Sequence, residues 1–305
     1  MALHEISKKK KKTLRCKDFS LGAFLDIEGA FDNTGHDSIK RAMARRNIDK
    51  ATTVWVESML KDRITSSTLG ADTLTITSSK GCPQGGVLSP LLWSLVVDEL
   101  LETLEESGHK AIGYADDIVV YSTGKYEDTV RNRMTDAILG ILRWCEKVGL
   151  RANPSKTTLV PFTNRKKISQ EPIIINNLPI PYSREVKYLG VILDQRMTWN
   201  AHTENLYNKG LKALWTCSSY CGRAWGAPPE LMLKMYKSVV RPILTYAAWI
   251  WWKKAEQITT QKKLNKLQRL ACLLITGAMK TCPTAAMEVI IGITPLHIHI
   301  EAEAA

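Results

Sequence analysis

Ala111-Ile112-Gly113-Tyr114-Ala115-Asp116-Asp117-Ile118-Val119-Val120-Tyr121 sets two adjacent carboxylates between two apolar runs, and no other stretch limits the fold as much. The β-branched and aromatic content of Ile118 to Tyr121 favours strand over helix, so the stretch predicts a hairpin with Asp116 and Asp117 at its tip. Neighbouring strand residues point to opposite faces, which leaves a turn as one of the few places where both carboxylates reach a common site. Two acidic groups held together repel, and a divalent cation is the usual compensation. An ordinary acidic hairpin turn looks the same locally, so the rest of the chain has to separate the two readings.

The 305 residues are 45% hydrophobic, enough for one large or two moderate domains with real cores. A formal charge of +12 points to an acidic partner, nucleic acid being the usual one. The seven cysteines are scattered, odd in number and without a Cys-x-x-Cys pair, which suits free core thiols in a reducing compartment and excludes a disulfide framework or a zinc module. Cys217 and Cys221, at helical i,i+4 spacing without matching histidines, read as packing residues. No apolar run approaches the roughly 20 residues that span a bilayer, and no secretory signal follows Lys8 to Lys12. The chain is therefore expected in the nucleus or cytoplasm, with no membrane partner. The lysine run itself reads as a nuclear address, a nucleic-acid contact or a solvated charged face.

Phe19 to Ile27 is a mostly apolar run carrying one carboxylate near its end, Asp26. A lone charge there is costly unless paired or metal-bound, which makes Asp26 a site candidate. Helices are predicted over Ser38 to Asn47 and Thr53 to Lys61, and a threonine-rich hairpin over Ile64 to Leu69 and Thr73 to Thr77. In Gly81-Cys82-Pro83-Gln84-Gly85-Gly86-Val87-Leu88-Ser89-Pro90 three glycines let backbone approach a ligand, and Gln84 is the one long side chain with both donor and acceptor. Ser89 as N-cap and Pro90 at the first helical position start a helix that runs to about Glu106. Asp128 to Val148 predicts another helix, stopped by Gly149. The turn Asn153-Pro154-Ser155-Lys156-Thr157 sets one lysine before a strand over Thr158 to Phe162. Ile173 to Ile175 and Val186 to Leu193 add short strands.

From Thr198 helical spacing with tryptophans replaces strands, so a domain boundary is expected near Gln195. Tyr207, Leu211, Leu214 and Trp215 mark one apolar face. Pro228-Pro229 opens a helix that Pro242 should kink or end. A helix over Gln261 to Ile275 is expected to bury Leu264, Leu267, Ala271 and Leu274 and to turn Lys262, Lys263, Lys266 and Arg269 outward, a face suited equally to a phosphate backbone or to solvent.

These segments together resemble the polymerase core of a reverse transcriptase from a non-LTR retrotransposon of the R1/jockey-like kind, over nearly the whole chain and in order. Phe24-Leu25-Asp26-Ile27-Glu28-Gly29-Ala30-Phe31-Asp32 resembles the first palm motif, Pro83 to Pro90 the second, and Tyr114-Ala115-Asp116-Asp117 the third. Gly149-Leu150 with Asn153 to Lys156 is similar to the fourth, and Tyr188-Leu189-Gly190 to the fifth. A Tyr-x-Asp-Asp alone is a modest signal; five ordered blocks are far stronger.

The resemblance implies an α+β fold: a right-hand polymerase palm of antiparallel sheet backed by helices over residues 18–195, then an all-helical thumb and connection over 196–305. Residues 1–17 would be a basic remnant of fingers that are otherwise missing, with endonuclease and RNase H domains absent. It implies RNA-directed DNA synthesis from dNTPs on an RNA template and DNA primer, with two Mg2+ ions, Mn2+ being a possible substitute. By the same resemblance Asp26, Asp116 and Asp117 are the metal ligands, and Lys156 acts on the leaving pyrophosphate. Phe31 is the steric gate against a ribose 2′-hydroxyl, Gln84 and Tyr114 border the nucleotide, and Tyr188, Leu189 and Gly190 grip the primer. Two other readings share these residues: an inactive relic that only binds nucleic acid, and a protein partner for another element's machinery that uses the apolar surface left by missing fingers, with self-association through that surface as its mark.

Overall fold

The computed structural model describes residues 3–5, 18–61, 63–70, 72–153, 156–165, 168, 171–175, 178–220, 226 and 228–305. The Lys8 to Lys12 run, Pro154, Ser155 and Cys221 lie outside the described residues. The chain forms two compact units, Met1–Val186 and Lys187–Ala305. The composition change at Gln195 falls within the second.

In the first unit, strand β1 (Phe19–Glu28) is the centre of an antiparallel sheet. Helices α1 (Ala30–Asn33), α2 (His36–Arg45) and α3 (Lys50–Leu60) follow it, then the hairpin β2 (Arg63–Leu69) and β3 (Asp72–Ser78) and the long helix α4 (Ser89–Glu106). Strands β4 (Lys110–Tyr114) and β5 (Asp117–Gly124), helix α5 (Glu127–Val148), β6 (Arg151–Ala152) and β7 (Thr158–Phe162) complete the sheet, ordered β4-β5-β1-β6 with β7 also on β1. Two small hairpins come next, β8 (Ile173–Ile175) with β9 (Leu178–Ile180), and β10 (Glu185–Tyr188) with β11 (Val191–Asp194).

The period of two in β1 explains its place. Phe19, Leu21, Ala23, Leu25 and Ile27 share one face and join the core with Leu92, Val96 and Leu100 of α4 and Met134, Ile138 and Ile141 of α5. Burying each of the larger aliphatics contributes about 1.5–3 kcal/mol. The alternate residues Phe24 and Asp26 face the other way. Arg45 of α2 clamps α4 by pairing with Asp98 at 2.8 Å and Glu102 at 2.6 Å. Asp49 caps α3 by accepting from the Thr52 N–H at 2.9 Å, which relieves one orphan donor of the first turn. Ser89 does not cap α4 as expected. It is the first helical residue, and its hydroxyl donates to the Pro83 carbonyl at 2.7 Å, tying down the glycine-rich loop.

The second unit is mostly helical: α6 (Asn200–Ser218), α7 (Pro229–Met235), a π-helical turn over Tyr236–Val240, α8 (Arg241–Thr245), α9 (Ala248–Ala255), α10 (Ile258–Thr276), α11 (Thr284–Ile291) and α12 (Leu296–Ala304). Pro242 has no N–H to continue the ladder. The chain widens into the π turn just before it and leaves the helix after Thr245, with Tyr246 extended. The buried face of α6 is His202, Leu206, Gly210, Leu214 and Cys217, whereas Trp215 is exposed. Of the expected Tyr207, Leu211, Leu214 and Trp215 stripe only Leu214 is buried; the face is rotated because Gly210 is a notch, where a Cβ would stand 2.6 Å from Leu244 Cδ2. Among the described residues no single helix is long and apolar enough to cross a membrane.

Candidate active site

Asp26 and Asp117 are directly opposed in the β1–β5 ladder, and opposed residues of an antiparallel pair point to the same face. Tyr114 pairs with Asp117 across the β4–β5 hairpin, so Ala115 and Asp116 form a two-residue turn. The turn is strained. Ala115 sits at φ 51°, a left-handed conformation where glycine is the usual occupant. Two hydrogen bonds hold it: the Trp93 indole N–H donates to the Ala115 carbonyl at 2.6 Å, and the Ile27 amide to the Asp116 carbonyl at 3.3 Å. Strand register and turn thus bring Asp26, Asp116 and Asp117 to one end of the sheet.

The fourth segment closes on the same point. The Asn153 amide donates to the Asp26 carbonyl at 2.9 Å, and three residues later the Lys156 ammonium reaches the Asp26 carboxylate at 2.9 Å. That hydrogen bond, with the charge of Asp26, raises the pKa of Lys156. Burial raises the pKa of Asp117, and the negative charges of Asp116 and Asp26 raise it further. The carboxylates repel one another, and an ammonium already stands where a cation is favoured. Carboxylate oxygens are the hard donors that magnesium and manganese take, and these ions use few protein ligands. Among the described residues no group of three or more histidine, cysteine, aspartate or glutamate side chains is gathered closely enough to hold a metal ion.

The glycine-rich loop is braced on α1. The Cys82 amide donates to the Phe31 carbonyl and the Gly81 amide to the Thr34 carbonyl, both at 2.7 Å. Gly81 is required there: its φ is 82°, and a Cβ would stand 2.4 Å from the Asp32 carbonyl oxygen. Gln84 is exposed and donates to the Asp32 carboxylate at 2.8 Å. Phe31 is half-buried, its ring centroid 6.0 Å from that of Trp93 and tilted by 45°. Tyr114 is 58% exposed at the hairpin end. Phe31, Gln84 and Tyr114 therefore lie on elements that border the carboxylates.

Other candidates are arranged differently. Tyr188 is buried, so within its strand it packs inward, leaving Leu189 and Gly190 as the turn. Both turn residues have positive φ, 47° and 77°, and the Tyr246 hydroxyl donates to the Leu189 carbonyl at 2.8 Å. Lys262 and Lys266 are exposed on α10. Arg269 departs from the outward arrangement. Its guanidinium donates to the Cys282 carbonyl at 2.9 Å and the Thr284 hydroxyl at 2.8 Å, and also to the Lys280 carbonyl. Three N–H···O bonds of the guanidinium tie together the loop before α11 and its first residue, an order that spacing on α10 does not reveal. Trp93 and Tyr246 went unremarked in the sequence because each acts on a turn far away in the chain. The only local signal for Trp93 is a large aromatic on the apolar stripe of α4.

The reverse transcriptase (RNA-dependent DNA polymerase) family matches residues 3–193. The chain is 25% identical over 281 residues to the putative 115 kDa protein in type-1 retrotransposable element R1DM of Drosophila melanogaster, covering 92% of this chain and 27% of that protein. It is 26% identical over 278 residues to the RNA-directed DNA polymerase from mobile element jockey of Drosophila melanogaster, covering 88% and 29% respectively. It thus spans under a third of the length of these two relatives. Apo telomerase from Candida tropicalis aligns with 99% of this chain and 54% of its own at a TM-score of 0.48 and 12% identity. With the family pattern running through β1, the glycine-rich loop and the Asp116–Asp117 hairpin, the chain belongs to the reverse transcriptase (RNA-dependent DNA polymerase) family.

Proposed function

We propose that this chain carries the catalytic core of an RNA-directed DNA polymerase of a non-LTR retrotransposon. The first unit would be the palm, the second the thumb and connection, and the substrates an RNA template, a DNA primer and dNTPs. The observation that carries the reading is the opposition of Asp26 and Asp117 with Asp116 on the adjoining turn and the Lys156 ammonium on Asp26. Phosphoryl transfer asks little covalent chemistry of a protein and mostly requires in-line placement and neutralised charge. The primer 3′-oxygen bonds to the α-phosphorus as the bond to the β-phosphate oxygen breaks, and pyrophosphate leaves. Asp26, Asp116 and Asp117 would hold two Mg2+ ions, with Mn2+ able to replace them; these supply electrostatic stabilisation of the attacking and leaving oxygens.

The remaining roles belong to the chain's own side chains. Lys156 is protonated at neutral pH as lysine ordinarily is, Asp26 favours its charged form further, and Nζ carries a proton that it can give to the departing pyrophosphate. Phe31 selects deoxynucleotides by repelling a 2′-hydroxyl, Gln84 orients the incoming nucleotide from the loop, and Tyr114 flanks it at the hairpin end. The turn Leu189–Gly190, backed by Tyr188, borders the primer strand.

The test is dNTP incorporation on an RNA template with an annealed DNA primer and Mg2+, alongside Asp116→Asn. Incorporation that falls by at least about 10³-fold in the variant fits the loss of a metal ligand. Wild-type incorporation that Asp116→Asn leaves intact overturns the reading.

A further inference from the structure

One buried side chain touches both halves of the proposed site. Trp93 lies in the second turn of α4, four residues after Ser89, and is only 2% exposed. Its indole N–H donates to the carbonyl of Ala115, the strained residue of the carboxylate turn. Its ring lies against Phe31 at 6.0 Å between centroids. The loop carrying Gln84 feeds into the same helix and is tied to it through Ser89 and Pro83. The polar edge of a single indole therefore holds the Asp116–Asp117 turn while its apolar face backs Phe31.

We infer that Trp93 is a positioning residue that fixes the spacing between the carboxylate turn and the Phe31 ring, and so couples the rate of nucleotide addition to sugar discrimination. The inference rests on the proposed polymerase function. Only tryptophan combines a flat ring large enough to support Phe31 with a single fixed donor directed along its edge. Without the donor, the Ala115 carbonyl loses its partner and nothing in α4 opposes relaxation of the left-handed turn. Asp116 and Asp117 then move relative to the nucleotide. Without the ring, Phe31 gains room to yield to a 2′-hydroxyl. The two effects are separable, because Trp93→Phe removes the donor and keeps a ring, whereas Trp93→Leu removes both.

The experiment measures kcat and KM for dCTP and for CTP in the full chain, with melting temperature as the control for folding. Trp93→Phe is expected to lower kcat for dCTP by about tenfold or more with KM changed less than about threefold, the signature of displaced reacting groups. Trp93→Leu is expected to lower discrimination against CTP by about tenfold in addition. In a Phe31→Ala background, Trp93→Leu should leave discrimination unchanged while still lowering kcat, because the ring no longer has a gate to support. Full kcat in Trp93→Phe, or an additive loss of discrimination in the double variant, overturns the inference.

A measurement independent of turnover separates this failure from that of the polymerase reading. Mn2+ binding, followed by electron paramagnetic resonance, should weaken about three- to tenfold in Trp93→Phe. If the wild type fails to incorporate nucleotides but its Mn2+ affinity drops in the variant, the polymerase reading falls and the positioning role stands. Unchanged Mn2+ affinity overturns the positioning role itself.

Discussion

His202 has no exposed surface, and its Nδ1 faces the Ile192 amide at 3.4 Å while its ring meets Trp199 and Trp251 edge-on. Burial pushes its pKa down to about 4, helped by the positive charge of Lys209. In the unfolded chain it titrates near 6.5. Between these values the unfolded state binds more protons, so stability is complete above pH 6.5 and falls as pH is lowered toward 4. The folded state should lose about 3 kcal/mol across that window on this account. Chemical denaturation of the wild type against His202→Phe at pH 7 and 4.5 checks it, and a slope that survives the substitution would assign the effect elsewhere. Lys156 is the opposite case, an exposed group whose charged form is favoured by Asp26. Lys156→Ala is expected to slow single-turnover incorporation by about 10²-fold with little effect on melting temperature, as suits a proton donor on the surface. An equal loss in dNTP affinity with no change in turnover would make it a binding group instead.

Among the secondary-structure elements, the placement of the glycine-rich loop depends on one residue without a side chain. Gly81 and Gly85 have nearly the same φ, 82° and 81°, yet a Cβ at Gly81 meets the Asp32 carbonyl and one at Gly85 meets nothing within 4 Å. Both alanine variants carry the strain of a left-handed residue, about 1 kcal/mol. Only Gly81→Ala must also push the loop off α1. It is expected to reduce kcat/KM by a further tenfold or more relative to Gly85→Ala, with Gln84 drawn away from Asp32. Primer-extension kinetics on the two variants decide it. These elements were largely legible in the sequence, since the apolar run of β1, the Gly149 stop of α5 and the apolar spacing of α4 and α5 are local signals that tertiary packing reinforces. The carboxylate hairpin was legible for the same reason: Asp116 and Asp117 interrupt an otherwise apolar run. Interactions between distant elements were not. The buried stripe of α6 depends on how closely Leu244 approaches Gly210, and the hydroxyl of Ser89 turned to Pro83 and not to its own helix. Those outcomes are decided by partners that spacing along one helix does not encode.

For the whole molecule, a formal charge of +12 makes nucleic-acid binding an ionic-strength experiment. The logarithm of the affinity for a duplex should fall linearly with the logarithm of salt concentration, with a slope set by the number of phosphates neutralised. Net charge alone does not say which cations count, and the paired ones are weaker candidates. Arg45 and Arg46 are engaged by Asp98 and Glu102, Lys263 by Glu204, and Arg269 by the loop before α11. Lys262 and Lys266 are exposed on α10. If α10 lies along a phosphate backbone, Lys262→Ala and Lys266→Ala should each reduce the salt slope by about one and leave the melting temperature unchanged. Arg269→Ala should do the reverse, because it removes hydrogen bonds to two carbonyls and a hydroxyl at the α10–α11 connection. A loss of roughly 1–3 kcal/mol with an unaltered slope is expected for such a group. Fluorescence anisotropy between about 50 and 300 mM salt, together with thermal melts of the three variants, distinguishes a helix face that binds nucleic acid from one that is merely solvated. Unaltered slopes in both lysine variants would remove α10 from the interface while leaving the carboxylate site untouched.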